Sequence, residues 1–352
     1  MIELPKELAE WQVMRVRSIG LCCSVGYQAA SAVCALRAGI DHFQEGAFLD
    51  NQGEALALAA LPAENHAGLP RLTWLAQHAL QDCARQEMID SANTCLLLLA
   101  AERSRPHTDV ERYQASFDAI GQLFSSPFHS SSLILPLGRA GIGHAIWQAQ
   151  ALLRSKQVQK VLILGLDSYL NAATINHYLR QDRLLCSYQS NGFIPGEAAA
   201  AIMLELPEQI IPGLYVRGLG LGMEEAQPGN GVPNRAQGMS IAMRQACASA
   251  HLTPSELDFR LSDQNGEVFF SREAATASMR LMAHPDNPES IDLPVLTTAD
   301  CLGEIGAATG CAMLAWMQAV MPRNDGPGLQ GLMHLANEDG RRSALALTYW
   351  KG

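Results

Sequence analysis

Short, continuously apolar runs alternate with amphipathic stretches along most of the chain. Residues 96–101 and 161–166 carry no polar side chain, whereas apolar positions recur with helical spacing at 27–38, 72–85 and 141–153. Continuous apolar runs are typical of strands that are buried on both faces, and the amphipathic stretches predict helices that cover them. The pattern therefore predicts an α/β fold with parallel or mixed sheets.

The same reading extends to the other elements. Strands are predicted at 15–23, 94–101, 132–135, 160–166, around Val216, at 258–261 and 295–298, near Leu332 and at 344–349. Helices are predicted at 27–38, 72–85, 141–153, 235–250, 274–282 and 306–320. Between them, 104–132 contains two prolines and a serine cluster, so we expect an irregular lid or partner-binding insertion there.

Two short motifs occur twice, in the same order. Leu137-Gly138-Arg139 and Leu302-Gly303-Glu304 each precede a Gly/Ala-rich turn and an apolar helix, and Val-Arg-Ser-Ile-Gly-Leu at 16–21 resembles Val-Arg-Gly-Leu-Gly-Leu at 216–221. The spacing is longer than the ~20–50 residues of solenoid repeats, which indicates two related halves. We place these halves at 1–210 and 211–352, so that Arg139 and Glu304 stand at equivalent helix entrances.

Composition agrees with a large globular protein and excludes several classes. The chain has 352 residues, of which 48% are hydrophobic and 17% charged, and it exceeds the ~250–300 residues at which single cores stop growing. A formal charge of -10 without a Lys/Arg-rich run argues against a nucleic-acid surface. The first eight residues lack a signal-peptide pattern, and no apolar run approaches the ~20 residues of a membrane span. Nine cysteines without a C-x-x-C pair indicate reduced thiols, with Cys22-Cys23 in the core, and a cytoplasmic protein.

One segment resembles a family signature. Residues 191–199 read Asn-Gly-Phe-Ile-Pro-Gly-Glu-Ala-Ala and are followed by Ile-Met-Leu-Glu at 202–205. This is similar to the D-G-F-x-x-G-E-G-A…L-x-L-E signature of the β-ketoacyl synthases, in the thiolase-like superfamily. The matching positions are Asn191, Gly192, Phe193, Gly196 and Glu197. Similar stretches at 19–39, 252–258 and 303–310 extend the resemblance to about 15–350, and it implies a five-layered αβαβα fold of two pseudo-symmetric halves.

The resemblance also implies where catalytic groups would stand. Active members use a cysteine thiolate at a helix N-terminus, two histidines and a supporting lysine. When the chain is aligned on the family's motifs, Arg139 stands at the position of the cysteine, Asp263 and Glu304 at those of the histidines, and Ala299 at that of the lysine. The family's glycine-rich gating segment corresponds to Asp-Gly-Arg-Arg at 339–342. A guanidinium buried at a helix N-terminus needs carboxylates. We therefore expect Arg139 to form an ion pair with Glu304, Asp263 or both.

Other candidate sites are weaker. Cys186 and Cys301 could be displaced nucleophiles, but neither follows a turn-to-helix pattern with a nearby histidine, and His144 has the position of a packed helix residue. The ten histidines lack metal-ligand spacing, and the Gly-Leu-Gly-Leu-Gly run at 218–222 is too isolated for a dinucleotide site. We expect neither a metal nor a cofactor.

Three functions remain open. The leading hypothesis is a catalytically inactive β-ketoacyl-synthase homologue that acts as a dimeric scaffold or accessory protein; thiolase-like proteins without the catalytic residues are found beside secreted effectors, including type VI secretion clusters. A second version is a silent subunit similar to a chain-length factor, paired with an active ketosynthase. The third is an acyl-transfer enzyme with non-standard groups. The resemblance implies a homodimer or heterodimer through 132–135 and 160–166, and an acyl carrier protein or effector as a further partner.

Overall fold

The structure is a computed structural model of the chain. It describes residue 8 and the ranges 10–62, 67–106, 110–283 and 293–352. The first eight residues, for which the sequence shows no signal-peptide pattern, therefore lie almost entirely outside the described part.

Strands and helices alternate as the apolar pattern predicts. The strands are β1 Met14–Cys23, β2 Gln44–Leu49, β3 Ala55–Leu58, β4 Thr94–Ala100, β5 Leu133–Pro136, β6 Lys160–Ser168, β7 Glu197–Glu205, β8 Gly213–Met223, β9 Phe259–Ser262, β10 Val295–Thr297, β11 Gln330–Ala336 and β12 Arg341–Trp350. The helices are α1 Ala29–Ala38, α2 Gly68–Gln86, α3 Val110–Gly121, α4 Gly141–Arg154, α5 Ala172–Arg180, α6 Gln237–Ser249, α7 Val268–Met282, α8 Ala299–Leu302 and α9 Thr309–Val320. Short 3₁₀ turns lie at Ser91–Asn93, Pro254–Glu256 and Gly306–Ala308.

Ten strands of the described residues form one sheet made of two equivalent groups. The order is β10-β9-β11-β12-β8-β1-β7-β6-β4-β5. In the first group β1, β7 and β6 are antiparallel neighbours, and β6, β4 and β5 are parallel. In the second group β8, β12 and β11 are antiparallel, and β11, β9 and β10 are parallel. The groups meet where Met14 pairs with Val216 and Arg15 with Tyr215, so β1 and β8, the strands that carry the repeated motif, lie side by side. A division of the chain at 210/211 stays a proposal.

Alternate residues of the strands face opposite helix layers. The inner faces of both strand groups pack against α4, α9 and α1 in one continuous cluster. The outer face of the first group packs against α2 and α3, and that of the second against α6 and α7. Helix α9 is buried on nearly all sides, which explains why its sequence is mostly apolar. The layers follow the order helix, sheet, helix, sheet, helix, and this confirms the predicted fold class.

The repeated glycines serve helix packing. A Cβ on Gly220 of β8 would lie 1.8 Å from the carbonyl oxygen of Ala242 in α6, and Gly218 and Gly222 meet the same helix backbone. In the first half, a Cβ on Gly20 of β1 would lie 1.9 Å from a carbonyl oxygen of α2. The glycine run at 218–222 is therefore a surface on which a helix backbone rests.

Several predicted elements need correction. The segment 104–132 is not irregular throughout, because Tyr113, Phe117 and Ile120 give α3 an apolar face that packs on the outer side of the first strand group. The segment 160–166 cannot be an edge for dimerisation, since β6 lies between β4 and β7. The helix predicted at 27–38 begins at Ala29, and the one predicted at 274–282 begins earlier, at Val268. The helix predicted at 306–320 begins with a 3₁₀ turn. Strand β7, the hairpin β2–β3 and helix α5 were not predicted. The apolar positions of the hairpin and of α5 cover only a small satellite cluster.

Candidate functional site

The two repeated Leu-Gly motifs meet between the halves of the chain. Gly138 and Gly303 both have positive φ, 62° and 64°, so each chain segment turns sharply before its central helix. The turns bring the next residues together: Arg139 Nη1 donates a hydrogen bond of 2.5 Å to Glu304 Oε2, and both side chains are buried. The predicted ion pair between Arg139 and Glu304 is confirmed.

Arg139 has two further neighbours from the second half. Its Nε lies 3.7 Å from Asp263 Oδ2, and its guanidinium carbon lies 4.8 Å from the centre of the Phe270 ring. Asp263 also accepts a hydrogen bond of 2.8 Å from the backbone N–H of Ala336. Burial nevertheless raises the pKa of Asp263 to about 6, although the guanidinium lowers it. Both carboxylates that the sequence assigned to Arg139 are thus in place, with Glu304 in direct contact and Asp263 more distant.

Glu304 connects the ion pair to the signature segment. Its carboxylate accepts hydrogen bonds from Asn265 Nδ2 at 2.7 Å and from the N–H of Gly306 at 2.8 Å. Its own N–H donates to the carbonyl of Ile194 at 2.8 Å, and its carbonyl accepts from Gly196 at 3.0 Å. The loop 191–196 is therefore held on the segment that positions the site.

The signature residues have structural roles here. Asn191 Oδ1 accepts a hydrogen bond of 2.8 Å from the N–H of Val268 at the start of α7. Gly192 lies where a Cβ would be 2.5 Å from the backbone of Leu184. Phe193 is buried among the tyrosines near α5. Glu197 forms a buried bidentate ion pair with Arg71. These contacts hold the segment 191–197 against α7, the tyrosines near α5 and Arg71.

Sequence reasoning missed two further arginine clusters around this centre. Arg183 binds Glu267 at 2.6 Å and Glu338 at 3.0 Å. Arg105 forms a short ion pair with Asp167 and lies 3.5 Å from Glu102. Except for Glu102, which lies three residues before Arg105, the carboxylates are far from their arginines in sequence. None of these residues belongs to a motif, so the sequence offers no specific signal for the two clusters.

A surface cleft lies beside Arg183. It has a volume of about 510 Å³ and is lined by residues that include Arg183, Asn191, Glu267 and Phe269. The Arg183–Glu267 ion pair forms part of its wall, and Asn265 bridges Glu267 Oε2, at 3.2 Å, to Glu304. The buried ion pair of Arg139 is thus linked to the cleft through two hydrogen bonds.

The alternative nucleophiles Cys186 and Cys301 lie in different surroundings. Cys186 is half-buried, and burial raises the pKa of the buried Cys301 thiol. No hydrogen bond joins either sulfur to a histidine in the described parts of the chain. His144 lies half-buried on α4, where burial lowers its pKa, and Ala299 is the first residue of α8. In the described ranges, no group of three His, Cys, Asp or Glu side chains is arranged so that it could hold a metal ion.

Solved structures establish what this fold is. No protein-family model matches the chain, and no curated protein matches it. The polyketide acyl-carrier protein:ketosynthase complex AntDE:AntF has a TM-score of 0.76 at 13% identity, covering 97% of this chain and 100% of the matched one. The chain has the ketosynthase fold.

Two other ketosynthase-fold structures match over nearly the whole chain. The complex of the ketosynthase ApeO with its chain length factor ApeC, from Xenorhabdus doucetiae, has a TM-score of 0.69 at 13% identity, with 99% of this chain and 100% of that chain covered. The PfaC keto synthase-chain length factor has a TM-score of 0.73 at 12% identity, with 97% of this chain covered. This chain spans only 43% of the PfaC chain. In the described ranges, no helix is both long and apolar enough to cross a membrane.

Proposed function

We propose that this protein is a catalytically inactive ketosynthase-fold protein that acts as a binding partner or scaffold. In this proposal Arg139 occupies the position of the nucleophile, Asp263 and Glu304 those of the two histidines, and Ala299 that of the lysine. The supporting observation is the buried ion pair of Arg139 with Glu304, which fills the seam between the two repeated turns.

An arginine in this environment can serve neither as a nucleophile nor as a base. Burial alone lowers its pKa, but Glu304 and Asp263 raise the pKa of Arg139 above its ordinary value overall. The guanidinium therefore stays protonated, and its nitrogens have no lone pair available for attack on a thioester. The buried cysteine thiols are also unsuited, because burial raises the pKa of Cys23 and Cys311 to about 12 and the thiolate is the reactive form.

Intact mass spectrometry tests inactivity directly. The purified chain is incubated with an acyl-carrier thioester, and the expected result is the unmodified mass. The Cys186→Ser and Cys301→Ser variants identify the site if an adduct forms. An acyl adduct on wild type that is lost in either variant would refute the proposal and support the third function, an acyl-transfer enzyme with non-standard groups.

We propose that the partner binds at the β5 edge. Among the residues that the structure describes, strand β5 pairs only with β4, and its four residues are half-exposed and apolar. A groove of about 360 Å³ beside it is lined by residues that include Tyr113, Phe117 and Ile134, and Trp147 on the neighbouring helix α4 is 42% exposed. An unpaired strand edge with adjacent apolar surface favours strand addition by a partner.

The identity of the partner separates two versions of the proposal. An accessory scaffold, which includes the homodimer, would co-purify with some unrelated protein, whereas a silent subunit similar to a chain-length factor needs a cysteine-containing ketosynthase. Two of the matched structures include a chain length factor, which supports the second version. Light scattering of the chain alone and mixed with a ketosynthase encoded nearby distinguishes them. Co-purification with an acyl carrier protein or with a secreted effector component would point to those partners instead.

A further inference from the structure

Three arginines around the candidate site each lie within 4 Å of two carboxylates. We call these nine residues the arginine–carboxylate cluster: Arg105 with Glu102 and Asp167, Arg139 with Asp263 and Glu304, and Arg183 with Glu267 and Glu338. All are buried except Glu338, whose side chain is 22% exposed. Six carboxylates against three guanidiniums leave a formal charge of three negative units if every group is ionised. Such an excess is costly away from water.

The three arginine groups form one connected body. Asn265 Nδ2 donates to both Glu304, at 2.7 Å, and Glu267, at 3.2 Å, and this joins the Arg139 and Arg183 groups. Glu304 and Asp167 accept hydrogen bonds of 2.8 Å from consecutive backbone amides at the start of the 306–308 turn. The cluster therefore spans loops of both halves and surrounds the N-terminal entrance of the central helix α9.

Two carboxylates of the cluster are poorly compensated. Arg139 Nη1 lies 2.5 Å from Glu304, whereas its Nε lies 3.7 Å from Asp263. Glu102 similarly lies 3.5 Å from Arg105, which makes its close contact with another carboxylate. In each of these two groups, the carboxylate farther from the guanidinium receives the weaker electrostatic stabilisation of its ionised form. Burial raises the pKa of Glu102, and it raises the pKa of Asp263 to about 6.

We propose that the arginine–carboxylate cluster is a proton-linked closure between the two halves, in which Asp263 holds a proton in weakly acidic solution and releases it as the solution becomes neutral. Loss of the proton adds negative charge to the buried centre and weakens the contact between the loop of Arg139, in the first half, and the loop of Asp263, in the second. The cleft beside Arg183 is the surface through which water would reach the loosened centre.

The groups that face these two carboxylates favour this behaviour. Facing Asp263 are the guanidiniums of Arg139 and Arg342, the carboxylate of Glu304 and the N–H of Ala336, and Arg342 is itself neutralised by a buried ion pair with Glu273. Facing Glu102 are Arg105, the carboxylates of Asp167 and Glu338, and the phenol of Tyr113. Arg112 shares a small cavity with Arg105 and Asp167. Each of the two carboxylates thus faces at least one other acid, and its nearest arginine is already bound to another carboxylate.

The sign of the pH effect follows from linkage. The pKa of Asp263 in the folded chain, about 6, is above its ordinary value, so the folded state binds this proton more tightly than the unfolded state. The stability that this group contributes is therefore present in acid and is lost as the pH rises through about 6. For a single carboxyl with this shift, linkage raises the unfolding equilibrium constant about tenfold between about pH 5 and pH 8.

The test compares unfolding of wild type and Asp263→Asn over this pH range. Asparagine has the same shape but cannot release a proton, so the ratio of wild-type to variant unfolding constants should rise about tenfold from about pH 5 to pH 8. Glu208→Gln is the matched control, because Glu208 is exposed, and its ratio should stay constant. A ratio for Asp263→Asn that does not change with pH overturns the proposal.

A second measurement on wild type keeps the proposal testable if the variant does not fold. Infrared spectroscopy in weakly acidic solution should show the carbonyl band of a buried protonated carboxyl, and this band should disappear as the pH is raised to neutral. Exchange of the Ala336 amide, which donates to Asp263, should accelerate over the same range beyond its intrinsic base catalysis. Wild type with no such band at any pH above about 5 contradicts proton uptake by the cluster.

Discussion

Removing the guanidinium of Arg139 tests whether the ion pair supports the seam between the halves. Arg139→Met keeps an apolar side chain of similar length next to Phe270, which lies 4.8 Å from the guanidinium carbon. It leaves Glu304 buried without its 2.5 Å partner. Removing one member of a buried ion pair destabilises a protein by about 3–5 kcal/mol, because the remaining charge is uncompensated.

The environment of Glu304 places the expected loss at the lower end of that range. Glu304 keeps two donors after the substitution, Asn265 Nδ2 and the N–H of Gly306, and each hydrogen bond to a charged group contributes about 1.5–3 kcal/mol. We therefore expect Arg139→Met to lower the free energy of unfolding by about 3 kcal/mol. In Arg139→Met/Glu304→Gln the uncompensated charge is gone, so the double variant should be more stable than the single one.

Urea unfolding at neutral pH, followed by fluorescence and circular dichroism, measures these differences. Arg37→Met is the matched control, because the Arg37–Asp325 pair has a similar distance of 2.6 Å but side chains that are 33% and 59% exposed. An exposed pair contributes about 1 kcal/mol or less. If Arg139→Met costs no more than Arg37→Met, or if the double variant is less stable than the single one, the seam does not depend on this ion pair.

Three further substitutions test other parts of the structure. Gly220→Val places a Cβ 1.8 Å from the carbonyl oxygen of Ala242, so we expect thermal unfolding to show a loss of stability above about 3 kcal/mol or no folded protein. Gly121→Ala is the control, because a Cβ there meets no atom within 4 Å, and a stable Gly220→Val would mean that α6 does not rest on β8. Burial lowers the pKa of His334 to about 3, so the stability of the fold should decrease as the pH drops from about 6.5 towards 3, by up to about 1.4 kcal/mol per pH unit. His334→Gln should reduce this dependence in acid unfolding curves, and an unchanged slope would contradict the burial of His334 as a neutral group. Trp147→Arg should weaken self-association or partner binding in light scattering without changing the melting temperature, and unchanged association would exclude this face of α4.

The fold was predictable because its signals are local. The apolar runs of β4 and β6 contain no polar residue that could face water, so both faces had to be covered by helices. The glycines of β1 and β8 marked two equivalent strands, and these pair at the junction of the two halves. Helix α3 and the hairpin β2–β3 were missed, because the first is flanked by prolines and the second covers only a small cluster of apolar residues.

The candidate site was predictable only in part, for the same reason. Arg139, Asp263 and Glu304 could be named together because the resemblance to the β-ketoacyl synthases implied that their positions face one another, and their opposite charges favour an ion pair. Arg105 and Arg183 follow no such motif. Their partners are separated from them by 62 residues for Asp167 and 84 residues for Glu267, and no local pattern states which distant carboxylate a buried arginine will contact.

The sequence by itself determined the layered α/β architecture, the duplication and the opposite charges at the two helix entrances, because hydrophobic periodicity, glycine turns and residue identity are properties of short segments. Only the tertiary structure decided that three arginines share six carboxylates in one buried body, and which of those acids lie far from their arginine. The physical reason is that electrostatic compensation depends on distances of a few ångströms between loops of both halves, and those distances are set by the packing of the sheet groups around α4 and α9.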